Sequence, residues 1–507
     1  RPKARARTKN QKTIDMIKPK HTLLVLIAVL ILLGIISLII PPGGWKINEN
    51  ITINFPTFKR LINPEEPDYK DISQIIDPHW DTTDLNTIDT ISAKPDTTRA
   101  NADSLEKVTH KLLMTAEGRS KLHHFFEELQ QASDSQKPVR VWHYGDSQIE
   151  SDRITSFLRE RFQSTFGGQG PGLLSLNPVT QKKSWRVHPV GNWERHTLFG
   201  KIDTTLPHQR FGPSLSISRF APFYNDSVSS DSMIYKGSVN INNSFQGYQH
   251  THQFKKAVLH YGNNYKPVQI KVKDKEDKII HTDSLPPNKN QYNTWPIPVD
   301  PGTKEFSLHF AGYDSPDFYG ISLESSNGVI VDNIPLRGSS GLIFTQVNYK
   351  YYLQQINRFD VDLIILQFGV NVVSEEREDF SYYERWIYNQ LNTIKKMQPD
   401  LPVIVIGLSD MAKKKGTNYK SYESVSKIRD ALQNATQRAG YCFWDLYEAM
   451  GGENSMPSWV FAQPPLANKD FTHFNYRGAR IISNMFYNAL MFEYREYAKK
   501  EPANDEE

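Results

Sequence analysis

The 507-residue chain is long enough for two or three domains, and its 28 Gly, 30 Pro and 12% aromatic content place most of it in the globular class. Its formal charge of +4 is local, because residues 1–21 hold eight Lys/Arg and one Asp, leaving −3 for everything after. The body therefore lacks the basic footprint of a nucleic-acid binder, and the single cysteine, Cys442, speaks against a disulfide framework.

The basic tail, residues 1–21, leads into Thr22 to Ile40, 19 residues without a charge. Such a run is just long enough to cross a hydrocarbon core as a helix. The cations before it and Pro41-Pro42-Gly43-Gly44 after it put the tail in the cytoplasm. A cleaved signal peptide fits less well, since the run is longer than a usual h-region and no small-x-small site follows. Residues 22–40 thus read as a transmembrane signal anchor in the inner (cytoplasmic) membrane, with the remainder in the periplasm or otherwise outside the cytoplasm. Residues 41–100, rich in Asp, Thr, Pro and Asn, read as an extracytoplasmic linker. An apolar stripe through Leu105, Leu112, Phe125 and Leu129 predicts a helix over 102–132.

Val139 to Tyr144 reads as a short buried strand, Gly145-Asp146-Ser147 breaks it, and Ile154, Phe157, Leu158 and Phe162 recur at helical spacing. A serine at such a turn stands at the carboxyl edge of a sheet, next to a helix N-terminus whose N–H groups can meet a developing oxyanion. The glycine run Gly167-Gly168-Gln169-Gly170-Pro171-Gly172 follows this helix instead of preceding one. It reads as a close-packed loop and not as a phosphate cradle.

From about 180 to 325 short alternating segments recur between turn signals: 214–218, 238–241, 256–261, 268–272, 278–282, 305–310 and 320–323. This pattern predicts an antiparallel β-sandwich or jelly roll. Its aromatics belong to a core by default, with a few free to stack on sugar rings. His250 and His252 could share one strand face as metal ligands do, but no third ligand is near, and neither metal nor other cofactor is expected. Strands then recur at 328–334, 363–368, 403–407 and 441–444, with helices at 382–397, 421–439 and 476–492. Alternation of this kind predicts a parallel, doubly wound sheet with the β-rich block inserted between its first and second strands.

A catalytic serine needs a base, the base an orienting group, and the oxyanion its donors. Three stretches can supply them: Asp332 to Gly341 with Gly338, Gln367-Phe368-Gly369-Val370-Asn371, and Asp470-Phe471-Thr472-His473. Asp470, three residues before His473, can reach its Nδ1–H and leave Nε2 for the serine.

Together, Gly145-Asp146-Ser147, Gly338, Gly369-Val370-Asn371 and Asp470-Phe471-Thr472-His473 resemble the four blocks of the SGNH (GDSL) hydrolase superfamily. The resemblance implies a flavodoxin-like three-layer α/β domain, here 101–178 and 326–495, that cleaves or transfers acyl esters. It implies Ser147 as nucleophile, His473 as base and Asp470 as orienting acid. The oxyanion hole would comprise the Ser147 and Gly338 N–H groups and the Asn371 side chain. The inserted block, 179–325, and the Gly-rich loop resemble the peptidoglycan O-acetylesterase and O-acetyltransferase branch, which implies a carbohydrate-binding-like insertion. Val372 stands where many members carry Asp, Arg153 and Arg337 read as solvated or ion-paired, and residues 496–507 read as a disordered acidic tail. The expected activity is removal or transfer of O-acetyl groups on a cell-envelope glycan such as peptidoglycan. The alternative is a catalytically silent glycan-binding or scaffold subunit. The expected partners are the glycan, the membrane through residues 22–40, and an integral-membrane acyl-donor protein.

Overall fold

The computed structural model describes residues 19–39, 45–48, 51–53, 69–76, 108–200, 206–224 and 233–499. The chain divides into two units, residues 1–68 and 69–507. In the first, helix α1 (Pro19–Ile39) carries a segment, Lys20–Ile39, of mean hydropathy 3.2, long and apolar enough to cross a membrane. Strands β1 (Trp45–Asn48) and β2 (Ile51–Ile53) pair antiparallel. Most of the predicted linker, the tail before residue 19 and residues 500–507 lie outside the described residues.

The first described regular elements of the second unit are β3 (Leu113–Met114) and α2 (Ala116–Gln131). Of the helix expected over 102–132, residues 102–107 lie outside the described residues, and 108–115 are not helical. The Thr115 hydroxyl caps α2 by accepting from the Gly118 N–H at 3.0 Å, and the preceding residues pair as a strand. Next come β4 (Val139–Gly145) and α3 (Thr155–Phe166).

The inserted block holds β5 (Gly172–Leu174), β6 (Trp185–Gly191), β7 (Glu194–Thr197), β8 (Ser216–Arg219), β9 (Tyr235–Asn243) and β10 (Lys256–Asn264). It continues through β11 (Val268–Lys273), β12 (Ile279–Leu285), β13 (Asn288–Ile297), β14 (Glu305–Gly312) and β15 (Asp317–Glu324). One antiparallel sheet runs β12-β11-β14-β9-β6 and the other β13-β10-β15-β8-β7, with β5 added onto β15. A shared apolar core holds Trp185, Val239, Leu259, Ile270, Leu308 and Phe318. Strands β6, β7 and β13 were not expected: β13 is polar and half exposed, and its pairing with β10 makes it a strand.

The chain returns as β16 (Val329–Pro335), α4 (Tyr349–Phe359), β17 (Val361–Gln367), α5 (Ser381–Met397) and β18 (Val403–Ile406). A hairpin follows, β19 (Ala412–Lys415) and β20 (Asn418–Ser421), then α6 (Ser424–Ala439), β21 (Cys442–Trp444), short helices α7 (Leu446–Ala449) and α8 (Ser455–Phe461), and α9 (Tyr476–Ala498). Helix α9 thus runs six residues past its expected end at 492 into the predicted tail, because Tyr497 is buried. The sheet order is β16-β4-β17-β18-β21-β3, parallel except for β3. Val141, Ile365 and Ile404 pack on one face with α2, α3 and α9. Trp142, Ile364 and Val405 pack on the other with α4, α5 and α6. Both faces are covered, which is why these strands read as unbroken apolar runs.

Two devices join the block to the parallel sheet. The glycine loop packs against β15 and β16, and at Gly170 (φ +94°) a Cβ would overlap the Leu323 carbonyl. Buried Arg140 on β4 pairs with Asp332 on β16 at 2.8 Å and with Glu324 on β15. His250 and His252 sit on a short 3₁₀ turn, not a strand; His250 pairs with Glu160 at 2.8 Å and His252 with Asn243 at 3.0 Å.

Candidate active site

The carboxyl ends of three neighbouring parallel strands carry the candidate residues. Because β4 lies between β16 and β17, the Ser147 turn is flanked by the loop bearing Gly338 and by the 3₁₀ turn bearing Asn371. Gly338 has φ +75°, a left-handed value that favours glycine, and a Cβ there would meet nothing within 4 Å. The Asn371 amide donates to the Ser339 carbonyl at 3.1 Å, which ties the two flanking loops together and leaves its second N–H to act elsewhere. Val372 packs its side chain against the apolar cluster on that face, so contact with the core replaces the polar anchoring an Asp would give.

Ser147 does not open a regular helix, as its spacing suggested. It starts a kinked 3₁₀ segment, in which Ser151 and Asp152 adopt φ +56° and +63°, and α3 begins only at Thr155. Left-handed backbone at two successive non-glycine residues needs outside support. Asn333 supplies it by donating to the Ile149 carbonyl at 2.9 Å and the Thr155 hydroxyl at 2.8 Å. Arg159 clasps Asp152 through two bonds of 2.6 and 3.0 Å. Asp146 accepts from the Gln148 N–H at 2.9 Å. Burial lifts its carboxyl to about 7, against the opposing hydrogen bonds from the Gln148 and Val370 N–H groups.

The far end of the chain completes the site. Ser147 Oγ lies 2.7 Å from His473 Nε2, and His473 Nδ1 lies 2.9 Å from Asp470 Oδ2. The other Asp470 oxygen accepts the Thr472 and His473 N–H groups, each at 3.0 Å. Burial raises the Asp470 carboxyl, but the His473 N–H, its ring and the Thr472 N–H outweigh it and hold the group below the usual range. The loop needs Phe471 at φ +55°, and the Phe471 ring stacks on Tyr419 of β20 at 3.7 Å.

Two side chains brace the histidine loop against the serine turn, and a third ties the Gly338 loop to that turn. Gln148 donates to the Thr472 carbonyl at 2.6 Å and the Ser409 hydroxyl at 2.9 Å, a role nothing in the sequence announces. Arg153 donates to the Phe474 carbonyl at 3.1 Å, and Arg337 pairs with Glu150 at 2.6 Å. Cys442 is buried away from this chemistry, its thiol pushed up to about 12 by burial. Among the described residues, no group of three His, Cys, Asp or Glu could hold a metal ion. A hydroxyl on an imidazole that is itself oriented by a carboxylate is suited to attack an electrophilic carbon while losing its proton.

The structure superimposes on a peptidoglycan O-acetylesterase with a TM-score of 0.58, covering 76% of this chain and 99% of that one at 19% identity. At this identity the likeness is one of fold. Shorter matches include an acetyl xylan esterase at 13% identity, covering 32% of this chain and 81% of that one with a TM-score of 0.25. Another is a GDSL-like lipase from Parabacteroides merdae at 15% identity, covering 32% and 73% with a TM-score of 0.24. No family profile and no curated protein matches the sequence.

Proposed function

We propose that the protein is a membrane-anchored, extracytoplasmic serine esterase that removes or transfers O-acetyl groups on a cell-envelope glycan such as peptidoglycan. The observation that carries this reading is the unbroken relay from Ser147 through His473 to Asp470, at 2.7 and 2.9 Å. Ser147 Oγ attacks the acetyl carbonyl carbon while His473 Nε2 takes its proton. The Ser147 and Gly338 N–H groups and the Asn371 amide hold the oxyanion. Collapse expels the sugar oxygen, which takes the proton from His473 and leaves an acetyl-serine. Water, activated by the same imidazole, then regenerates the enzyme, or a second sugar hydroxyl carries the acetyl group away.

Counting from β4, the parallel strands stand in order 2-1-3-4-5, which supports a flavodoxin-like core. The inserted β-block, read as carbohydrate-binding-like, would present the sugar, and α1 would hold the enzyme at the inner membrane. The test is acetate release from O-acetylated peptidoglycan and from 4-nitrophenyl acetate, with wild type and Ser147→Ala. Wild type should release acetate from both and form a serine-bound acetyl group; equal turnover by Ser147→Ala would overturn the assignment.

A further inference from the structure

A cleft of about 800 Å³, including its open mouth, lies where the inserted block meets the parallel sheet. Glu150 and Ser151, just after the serine turn, and Arg337, just before Gly338, form one side of it. The block contributes Lys182, Arg195 and Phe199. Among the described lining residues the charges are three cations, Lys182, Arg195 and Arg337, against one carboxylate, Glu150, and that carboxylate is already paired with Arg337 at 2.6 Å.

Arg195 is the informative member. It is half-buried on β7, and among the described residues its Nε has no hydrogen-bond partner. Burial lowers its guanidinium below the ordinary value, and among the described residues no carboxylate pairs with it. Lys182, set in the same wall, makes its hydrogen bond to the Leu173 carbonyl at 2.9 Å, and burial lowers its ammonium to about 8. Among the described residues the three fully buried guanidiniums are paired: Arg140 with Asp332 and Glu324, Arg159 with Asp152, Arg219 with Asp314 and Asp317. A desolvated cation without a counter-ion is costly unless a ligand supplies one.

We propose that this cleft is a subsite for an anionic sugar, in which Arg195, assisted by Lys182, binds a carboxylate carried by the glycan close to its acetylated hydroxyl. The inference rests on the esterase reading and narrows its substrate class to acidic glycans. Arg195 is thus a specificity residue: it touches the sugar acid and takes no part in acyl transfer, and a planar guanidinium suits a carboxylate better than an ammonium does.

The test separates the two readings by measuring binding apart from turnover. Ser147→Ala is titrated with two acidic probes, an O-acetylated galacturonate oligomer and 6-O-acetyl-N-acetylmuramic acid, and with the methyl ester of each. The expected result is that at least one acid binds about tenfold more tightly than its methyl ester, the scale of one charge-assisted hydrogen bond. That preference should vanish in Ser147→Ala carrying Arg195→Gln, with the thermal melt of the double variant matching that of Ser147→Ala. Equal affinity for acid and ester in both pairs, or no binding of either acid, overturns the subsite even if R195Q does not fold. A preference that persists in a folded R195Q overturns the role of Arg195. Failure of the esterase reading shows differently, as turnover of 4-nitrophenyl acetate that does not depend on Ser147.

Discussion

On the proposed esterase reading, Asp470→Asn should all but silence turnover without unfolding the chain, and the reason lies in which atoms the carboxylate already serves. One Asp470 oxygen accepts two backbone N–H groups at 3.0 Å, so in the variant the amide oxygen must occupy that place. The amide NH₂ then faces His473 Nδ1, 2.9 Å away in the wild type, and the imidazole must present a lone pair there. Its proton moves to Nε2, the atom that has to accept the Ser147 proton. In a buried serine-protease triad the equivalent substitution costs about 10⁴ in kcat. Because the Asp470 side chain is 49% exposed, water softens the constraint, and we set the loss at about 10³, about 4 kcal/mol of transition-state stabilisation. The assay is kcat and KM on 4-nitrophenyl acetate beside a thermal melt, with Asp470→Ala losing no more than the Asn variant because it imposes no tautomer. A kcat within tenfold of wild type for Asp470→Asn would refute the reasoning.

Other perturbations probe the scaffold of the site. Gln148→Ala removes the donors to the Thr472 carbonyl and the Ser409 hydroxyl and should lower kcat about fivefold to tenfold with little change in KM, read on the same ester. Tyr419→Ala strips the ring stacked on left-handed Phe471 and should cost about 1 kcal/mol, visible as a lower kcat and faster proteolysis of the 468–474 loop. Gly170→Ala places a Cβ on the Leu323 carbonyl at φ +94° and should destabilise by about 3 kcal/mol or more in urea melts. His250 is raised above its ordinary value by its hydrogen bond to Glu160. Its contribution is therefore full below the unfolded pKa of about 6.5 and is lost as pH rises through the raised folded value. The stability gap between wild type and His250→Gln should be about 1 kcal/mol at pH 5 and shrink toward alkaline pH, as melts across that range will show.

What could be read from the sequence was whatever local pattern or close spacing encodes. Leu363 to Leu366 and Val403 to Ile406 declare themselves as buried parallel strands because both faces of each are covered. Asp470 and His473 are legible because three residues of backbone suffice to join them. Strand β13 was not, since its polar sequence is recruited by a neighbour fixed far away in the chain. The delayed start of α3 depends on the left-handed Ser151 and Asp152, held by Asn333 from another strand, and no helical periodicity reports that. Gln148 and Arg195 share this character, their significance lying wholly in partners, or in missing partners, that only the folded chain brings near.

The 326 residues that separate Ser147 from His473 also impose an order in time. The serine turn is made early on a growing chain, but its oxyanion neighbour at Gly338 must wait for the whole inserted block, and its base, His473, for the stretch just before the last helix. Closing such long loops before their contacts form is slow and entropically expensive. A chain cut anywhere before residue 473 therefore has a serine and no base, so activity should appear as a step upon completion and not as a gradient along synthesis. Copies truncated between Ser147 and His473 would be chemically inert by construction.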